Sequence, residues 1–249
     1  MQIIGIIPAR FASTRFPGKS LAQINGKSMI RRVFEQAAKS QALAAVFVAT
    51  DDQRIFDHVT DFGGKVLMTA DTHRTGTERC NEVVRKLEAE KKMFDVVINI
   101  QGDEPYIQPG QIDLLASCFG DPGIEIATLV KKINSPEELA SPNTIKVVIS
   151  KNQQALYFSR TQIPYQRNKK NDEGIQSDLF YKHIGIYAYR TETLKAITSL
   201  NPSPLELAES LEQLRWLENS YKIFIRETQH ESHSVDSPED LLKFDKFTD

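Results

Sequence analysis

Short apolar runs alternate with amphipathic stretches along the first half of the chain. The runs IIGII, AVFVAT, VLMT and DVVINI have the length and apolar character of buried strands. Between them, MIRRVFEQAAKSQAL and RIFDHVTDFG repeat their apolar positions with a helical period, and a longer helical stretch precedes DVVINI. This alternation is typical of repeated strand–helix–strand units, so we predict a mostly parallel α/β sheet with helices on both faces.

Serine and threonine residues mark the starts of several helices. Thr75, Ser135, Ser203 and Ser237 each have Glu or Asp three residues further on, and proline directly follows the three serines. A hydroxyl that caps the first turn, an acid at the third helical position and proline at the first are helix-start signals. We therefore predict a helix directly after each of the four residues.

The alternation of strands and helices changes after Ile133. The runs IKVVI, ALYFS and YKHIGIYAYR favour strands, and no helical pattern separates them. We predict one domain over residues 1–249, with an antiparallel excursion at about 134–190 whose strand edges a second copy of the chain could cover. The polar stretch 165–178 within it is either a loop that closes over a ligand or a plain solvated loop.

Composition and charge limit the classes of partner. The 249 residues are 40% hydrophobic and 26% charged, with a formal net charge of −2, which gives no general attraction to nucleic acid or to anionic membranes. The two cysteines, Cys80 and Cys118, lack metal or redox spacing and are interpreted as buried thiols. The apolar run Ile3 to Ile7 is too short for a signal peptide or a membrane span. We therefore expect a cytoplasmic protein.

The opening loop, IIPARFASTRFPGKS, concentrates the cations Arg10, Arg15 and Lys19 after the first predicted strand. Such a cluster suits a bound phosphate, because ligands of open α/β sheets lie at the carboxyl ends of the strands. Two Gly-Lys-Ser triplets resemble the end of a P-loop, but Ser13 and Leu21 stand where its leading glycine is needed. The alternative is that these cations pair with Asp51 and Asp52.

A second candidate site is NIQGDEP, in which Asp103 follows the apolar run DVVINI. Mg²⁺ prefers one or two protein carboxylates and completes its shell with phosphate and water, so Asp103 could hold a metal that bridges a nucleotide. Aspartate and proline also favour turns, and a plain turn remains the alternative.

The chain resembles the 3-deoxy-manno-octulosonate (Kdo) cytidylyltransferases, the CMP-Kdo synthetases. The resemblance rests on strings in order along nearly the whole length: IIPARFASTRFPGK, VATDD, TGTER, NIQGDEP, ALYFSR, HIGIYAYR, SPLELAESLEQLR and VDSPEDL. It implies a nucleotide-diphospho-sugar-transferase-like, Rossmann-like fold with a protruding β dimerisation segment. It also implies a homodimeric enzyme that joins CTP to Kdo with Mg²⁺ and releases pyrophosphate, in lipopolysaccharide synthesis.

The resemblance also implies roles for individual residues. Arg10, Lys19 and Asp103 would be catalytic, and Asp103 and Asp236 would hold the metal. The remaining assignments are nucleotide binding by Ala9, Arg10, Ser13, Arg15, Lys19, Arg79 and Gln101, and sugar binding by Gln101, Arg160, His183, Tyr187, Glu212 and Gln213.

Chemistry supports these roles but leaves alternatives open. Arg160 and His183 could address the sugar carboxylate, while Glu212 and Gln213 could bond its hydroxyls. His183 could instead be a structural histidine, and Glu212 and Gln213 the solvated edge of a helix. Asp236 could simply be an acid near a helix start.

The metal-site prediction needs Asp103 and Asp236 to meet. Both follow apolar strands, which we predict to be parallel neighbours. The chain departs from the family at Ser20 and in the approach to Val235, where His230 and His233 leave a transition-metal site as another possibility.

Two rival functions are a cytidylyltransferase for a related sugar acid, such as 8-amino-Kdo or a sialic acid, and a non-catalytic nucleotide sensor on the same fold.

Overall fold

The computed structural model describes residues 1–12, 16–167, 177–231 and 234–244. Ser13, Arg15 and His233 lie outside these residues, as does most of the predicted 165–178 loop. The strands are β1 (Ile3–Ala9), β2 (Gln23–Ile24), β3 (Lys27–Ser28), β4 (Ala45–Thr50), β5 (Val66–Met68), β6 (Val96–Asn99), β7 (Ile126–Lys132), β8 (Lys146–Ile149), β9 (Ala155–Ser159), β10 (Tyr181–Arg190) and β11 (Ile223–Glu227). The helices are α1 (Met29–Ala37), α2 (Gln53–Asp61), α3 (Gly76–Ala89), α4 (Pro109–Ser117), α5 (Pro136–Ala140), α6 (Thr191–Ile197), α7 (Pro204–Glu209), α8 (Gln213–Glu218) and α9 (Pro238–Phe244).

Within the described residues, one nine-stranded sheet contains every strand except the β2–β3 hairpin. Its order is β11-β7-β10-β6-β1-β4-β5, with β8 beside β10 and β9 beside β8. The pairs β1–β4, β1–β6, β4–β5 and β7–β11 are parallel, whereas β10 is antiparallel to β6, β7 and β8. The predicted mostly parallel sheet and the antiparallel strands after Ile133 are confirmed.

Alternate residues of the central strand β1 enter two hydrophobic cores. Ile3 and Ile7 pack in the core that contains residues of α1, α2 and α4, and Ile4 and Ile6 pack in the core that contains residues of α3, α6 and α8. Successive side chains of a strand point to opposite faces, so a strand that is apolar throughout needs cover on both faces. The predicted helices on both faces are confirmed.

The four predicted helix starts are also confirmed, because α3, α5, α7 and α9 begin directly after the capping residues. Thr75 accepts a hydrogen bond from the amide of Glu78, and Ser203 accepts one from the amide of Glu206. At α9 the acid is the acceptor instead, since the amide and hydroxyl of Ser237 both donate to Asp240 Oδ2. These capping hydrogen bonds fix the residue at which each helix begins, and with it the end of the connection that leads to that helix.

Both cysteines are free and buried, as predicted. Burial raises the pKa of the Cys118 thiol to about 11, so this thiol is protonated near neutral pH. In the part of the chain that the structure describes, no helix has the length and apolar character needed to cross a membrane.

Candidate active site

A backbone hydrogen bond closes the opening loop at its base and places Lys19. The amide of Gly18 donates to the carbonyl of Phe11 at 2.9 Å, and a Cβ on residue 18 would lie 2.9 Å from the Phe11 ring. Gly18 has φ +71°, which only glycine adopts without strain. Lys19 follows at once, as the first residue of a single 3₁₀ turn that ends at Leu21. The second Gly-Lys-Ser triplet lies in the β2–β3 hairpin instead.

Asp103 reaches the same place through a close contact between two chain segments. A Cβ on Gly102 would lie 2.6 Å from the carbonyl oxygen of Pro8, so the connection after β6 passes directly over the end of β1. Only a residue without a side chain allows this approach. Asp103 Oδ2 then accepts a hydrogen bond from Lys19 Nζ at 2.5 Å.

Asp236 arrives by a different route from the predicted one. Strand β11 is separated from β6 by β7 and β10, so the prediction that neighbouring parallel strands deliver Asp103 and Asp236 is wrong. The chain after β11 returns toward β6 instead, and the amide of Val235 donates to the carbonyl of Asp103 at 2.9 Å. Apolar patterning identifies strands but does not give their order in the sheet.

The two carboxylates nevertheless converge, and they do so around the ammonium group of Lys19. Asp236 Oδ1 lies 4.0 Å from Lys19 Nζ, which also donates to the carbonyl of Val235 at 3.2 Å. The Lys19 side chain is only 18% exposed and that of Asp103 24%, which strengthens the interaction between these two charges. We name this group of Lys19, Asp103 and Asp236 the charged centre.

The alternative that Asp51 and Asp52 pair with the cations of the opening loop is wrong for Lys19. Asp51 accepts from Arg79 at 2.8 Å, and Asp52 accepts from Arg54 at 2.6 Å. Lys19 pairs with Asp103 instead. Arg10 is exposed and directly follows the last residue of β1.

A cavity of about 340 Å³, which we name the Arg79 cavity, lies over the end of β1 and the start of α3. Its wall includes Arg74 and five predicted nucleotide contacts: Ala9, Arg10, Lys19, Arg79 and Gln101. Thr75 and Gly76, at the amino end of the 14-residue helix α3, complete this side. Cationic side chains and the amino end of a helix both favour a bound anion.

Arg79 is held firmly within this wall. It is 3% exposed, and its guanidinium donates to Asp51, to Thr69 Oγ1 at 2.5 Å and to the carbonyl of Ala70 at 3.3 Å. These bonds fix the position of its charge, which stays beside the cavity. Its direct contact with nucleotide stays a prediction.

A second cavity of about 490 Å³, the Glu212 cavity, lies between the middle of β10 and the start of α8. It shares Gly76, Gln101, Asp103 and Asp236 with the Arg79 cavity, so the two cavities meet at the charged centre. The predicted sugar contacts on its wall are Gln101, His183, Tyr187 and Glu212.

Gln213 and Arg160, the other predicted sugar contacts, do not line either cavity. Gln213 is buried at the start of α8. The Arg160 guanidinium donates to the carbonyls of Pro142, Glu209 and Ser210 at 3.1, 2.7 and 3.3 Å. No pattern in the sequence indicates that the Arg160 guanidinium donates its hydrogen bonds to backbone carbonyls.

Burial keeps the imidazole of His183 neutral. It lowers the pKa of His183 to about 3, and the ring packs against Phe158 and Tyr187 with centroids 5.3 and 5.1 Å away. Its Nε2 lies 3.0 Å from the hydroxyl of Thr128. A neutral imidazole can address the sugar carboxylate through a hydrogen bond but not through charge, and the contact of His183 with the sugar stays a prediction.

Glu212 lies at the opposite wall and is held by the first turn of α3. Its Oε2 accepts a hydrogen bond from Thr77 Oγ1 at 2.7 Å. Burial raises the pKa of the Glu212 carboxyl above its ordinary value of 4.5. Glu212 is thus not a solvated helix edge, which was the alternative.

We expect Glu212→Gln to flatten the pH dependence of stability. A carboxyl whose pKa is higher in the folded chain binds more protons there, so the free energy of unfolding falls as pH rises above about 4.5 toward the raised pKa. The glutamine variant lacks this decrease. Thermal unfolding at pH values from about 4.5 to about 7.5 measures it.

The exposed Glu218, at the end of the same helix, provides the matched control. The Glu218→Gln variant should follow the wild-type curve. Parallel pH curves for wild type and Glu212→Gln would contradict a raised pKa at Glu212, whatever the other titrating groups contribute, because those groups are common to both proteins.

A sequence model described as Cytidylyltransferase matches residues 4–223. This chain belongs to the cytidylyltransferase family. It is 56% identical over 247 residues to 3-deoxy-manno-octulosonate cytidylyltransferase of Parabacteroides distasonis, covering 98% of this chain and 96% of the relative. The corresponding protein of Bacteroides thetaiotaomicron is 53% identical over 250 residues, with 99% and 98% covered.

A solved structure is also similar to this cytidylyltransferase over nearly its whole length. It is described as CMP:2-keto-3-deoxy-manno-octonic acid synthetase complexed with CTP, is 43% identical and has a TM-score of 0.89. The match covers 98% of this chain and 96% of that one. The resemblance to the CMP-Kdo synthetases and the predicted fold class are confirmed.

Several residues of the cytidylyltransferase site were missed from sequence. Asn99 ends the buried strand β6, and a polar residue there, two positions before Gln101, was a usable signal. Lys182 also lines the Glu212 cavity, although strict alternation would place it and His183 on opposite faces. Within the described residues, Asn99 Oδ1 and the Tyr187 hydroxyl are buried without a hydrogen-bond partner.

The donor set fits the Mg²⁺ that the family implies. Among the described residues, no cluster of three or more carboxylate, imidazole or thiol groups forms a protein-only metal site. Two carboxylates converging on one cation are what Mg²⁺ takes from a protein when phosphates and water complete its shell. Asp103 and Asp236 would hold it.

Proposed function

We propose that this protein transfers CMP from CTP to the anomeric hydroxyl of Kdo, giving CMP-Kdo and pyrophosphate for lipopolysaccharide synthesis. The observation that carries the proposal is the meeting of the two cavities at the charged centre, where both include Gln101, Asp103 and Asp236. A reaction between two bound substrates requires such a junction. The names of close relatives and the CTP in a similar solved structure support the identity of both substrates.

The Arg79 cavity suits the triphosphate of CTP. Arg10 and Arg74 present guanidinium groups, each of which can donate to two phosphate oxygens at once, and Lys19 adds an ammonium charge. The amino end of α3 contributes backbone donors. These groups lie over the end of β1, where ligands of open α/β sheets bind.

The Glu212 cavity suits a hydroxyl-rich sugar. Its volume of about 490 Å³ falls in the usual range of roughly 300–1,000 Å³ for small-molecule sites. Glu212 accepts hydrogen bonds, neutral His183 can donate or accept, and the Tyr187 hydroxyl has no partner in the described part of the chain. A sugar with many hydroxyls would satisfy such groups.

In the reaction, the anomeric oxygen of Kdo attacks the α-phosphorus of CTP. The new O–P bond forms as the bond to pyrophosphate breaks, and the proton of the sugar hydroxyl passes to solvent water. Lys19 and Arg10 stabilise the negative charge that grows on the departing phosphates, while Gln101 and Glu212 orient the sugar. Bound Mg²⁺ would neutralise phosphate charge at Asp103 and Asp236.

Pyrophosphate release tests the proposal. The purified protein is incubated with CTP, Mg²⁺ and either Kdo, 8-amino-Kdo or a sialic acid. Release with Kdo, abolished by a chelator, is the expected result. A preference for another sugar acid would favour a related cytidylyltransferase, and binding of CTP without release for any sugar would favour a nucleotide sensor. Release without sugar would overturn the transferase proposal.

We also propose that the protein is a cytoplasmic homodimer. Strand β9 pairs along its length only with β8 in the described sheet, and Leu156 on it is 59% exposed. An exposed edge strand with an apolar residue is a surface that a second copy can cover. The free, buried cysteines support a reducing compartment.

We expect light scattering to give the mass of two chains at micromolar concentration and physiological salt. The variant Leu156→Glu should shift that mass toward one chain, because a partner surface would have to bury its charge. The exposed Met93 provides a control, since Met93→Glu lies outside β9 and should remain dimeric. A monomeric wild-type mass would exclude the dimer.

A further inference from the structure

Two cations next to residues that line the Glu212 cavity donate from their side chains to backbone carbonyls, and within the described residues no carboxylate accepts from those side chains. Lys146 is 0% exposed, and its ammonium donates to the carbonyls of Ser141, Thr144 and Arg160 at 2.7, 2.8 and 2.6 Å. The Arg160 guanidinium donates to the carbonyls of Pro142, Glu209 and Ser210. A side chain that donates a hydrogen bond to a backbone carbonyl restrains the segment that carries this carbonyl. Each of these bonds therefore holds one segment in place.

The segments joined in this way form two walls of the cavity. Asn143 and Thr144 line it on one side, within the 141–144 turn that Lys146 and Arg160 both hold. Glu212 lines it on the other side and follows Ser210 by two residues. The Arg160 guanidinium therefore lies between the turn and the approach to Glu212.

Further bonds connect this arrangement to β9 and β10. The Glu209 carboxylate accepts from the amide of Arg160 at 2.9 Å and from the hydroxyl of Ser159 at 2.6 Å. The amide of His183 donates to the carbonyl of Ile145 at 2.8 Å, which ties the same turn to the strand that carries His183 and Tyr187. A shift of the turn would therefore change the spacing of several side chains that face the cavity.

We infer that Arg160 is a positioning residue, which with Lys146 sets the distance between the 141–144 turn and Glu212 and thereby the fit of the sugar acid. The inference rests on the proposed function for the identity of the ligand. The planar Arg160 guanidinium donates to its three carbonyls in fixed, divergent directions, and a lysine ammonium at position 160, which is a single point on a flexible stem, cannot reproduce that geometry. Small displacements of substrate-positioning groups are costly for binding and rate.

The test compares Arg160→Lys with Arg190→Lys. Arg190 has the same type of contact at another place, since its guanidinium donates to the carbonyls of Phe119, Asp121 and Ile124. Both variants lose a comparable set of structural bonds, so both should lower Tm to a similar extent. We expect only Arg160→Lys to raise the KM for Kdo by about tenfold, with CTP affinity unchanged within about twofold in both variants.

Amide hydrogen exchange provides a readout that does not depend on the sugar. In Arg160→Lys, exchange should accelerate in residues 142–145 and 209–212, and in Arg190→Lys in residues 119–125. If wild type releases no pyrophosphate with any sugar acid, the proposed function fails and the exchange pattern alone decides the positioning role. Equal losses of activity in both variants, or faster exchange spread over the whole chain in Arg160→Lys, would overturn the inference.

Discussion

Asp103→Asn and Asp236→Asn are expected to fold normally and to release pyrophosphate about a hundredfold more slowly or worse. Each substitution removes one negative charge from the charged centre, where both cavities meet. For Asp103 it also weakens the 2.5 Å hydrogen bond that holds the Lys19 ammonium. Loss of a group that balances charge at a reaction centre costs several kcal/mol of transition-state stabilisation. Stopped assays of pyrophosphate over a range of Mg²⁺ concentrations measure the effect.

The size of the effect distinguishes this role from the alternative for Asp236. An acid near the start of α9 would stabilise that helix through its dipole, and such an effect is worth only about 0.3–1 kcal/mol. The structure already gives the helix start another acid, since Asp240 accepts from the amides of Asp236 and Ser237. Asp236→Asn should therefore leave Tm almost unchanged while raising the Mg²⁺ concentration needed for half-maximal rate.

Asp178→Asn is the matched control, because Asp178 also accepts from a lysine ammonium, that of Lys132, at 2.7 Å. It lies outside both cavities and should keep wild-type turnover. If Asp236→Asn behaves like this control in rate and in Mg²⁺ dependence, the two-carboxylate site is wrong and Asp236 is only a charge near the start of α9.

The succession of strands and helices along the chain could be predicted from the sequence, because residues close together in sequence determine whether a segment forms a strand or a helix. The apolar runs became strands, and the hydroxyl residues Thr75, Ser135 and Ser203 capped helices where their patterns indicated. Strand order is different, because it depends on which faces pack together after folding. The prediction that Asp103 and Asp236 meet at one sheet edge was therefore correct, but the prediction that the strands before them, β6 and β11, are neighbours was wrong.

The candidate site was predicted best where residue type and strand ends coincide, as at Lys19 and Asp103. It was predicted least well where burial or backbone contacts decide the role of a side chain. His183 is neutral because burial lowers the pKa of its imidazole, and Arg160 faces carbonyls that no sequence pattern reveals. Lys182 was missed because alternation along β10 assigns it to the other face.

Lys19 should show two effects of opposite sign when it is replaced by alanine. In the structure its ammonium lies between the two carboxylates that would hold Mg²⁺, 2.5 Å from Asp103 and 4.0 Å from Asp236. Two opposite charges about 4 Å apart near a protein surface interact by roughly 4 kcal/mol, and water screening reduces that value where the groups are exposed. Without the ammonium, the free protein should bind Mn²⁺, used as a spectroscopic substitute for Mg²⁺, about tenfold more tightly.

Turnover should change in the opposite direction, falling by about a hundredfold in Lys19→Ala, because the ammonium is also placed to stabilise charge on the departing phosphates. CTP affinity should change less than kcat, since the interaction strengthens as that charge develops. Lys27→Ala is the control: it removes the lysine of the second Gly-Lys-Ser triplet, which pairs with Glu35 at 2.8 Å outside both cavities. It should leave Mn²⁺ affinity and turnover at wild-type values. If Lys19→Ala raises only the KM for CTP and leaves Mn²⁺ binding as it was, Lys19 contributes to nucleotide binding alone and its place between the carboxylates has no part in the reaction.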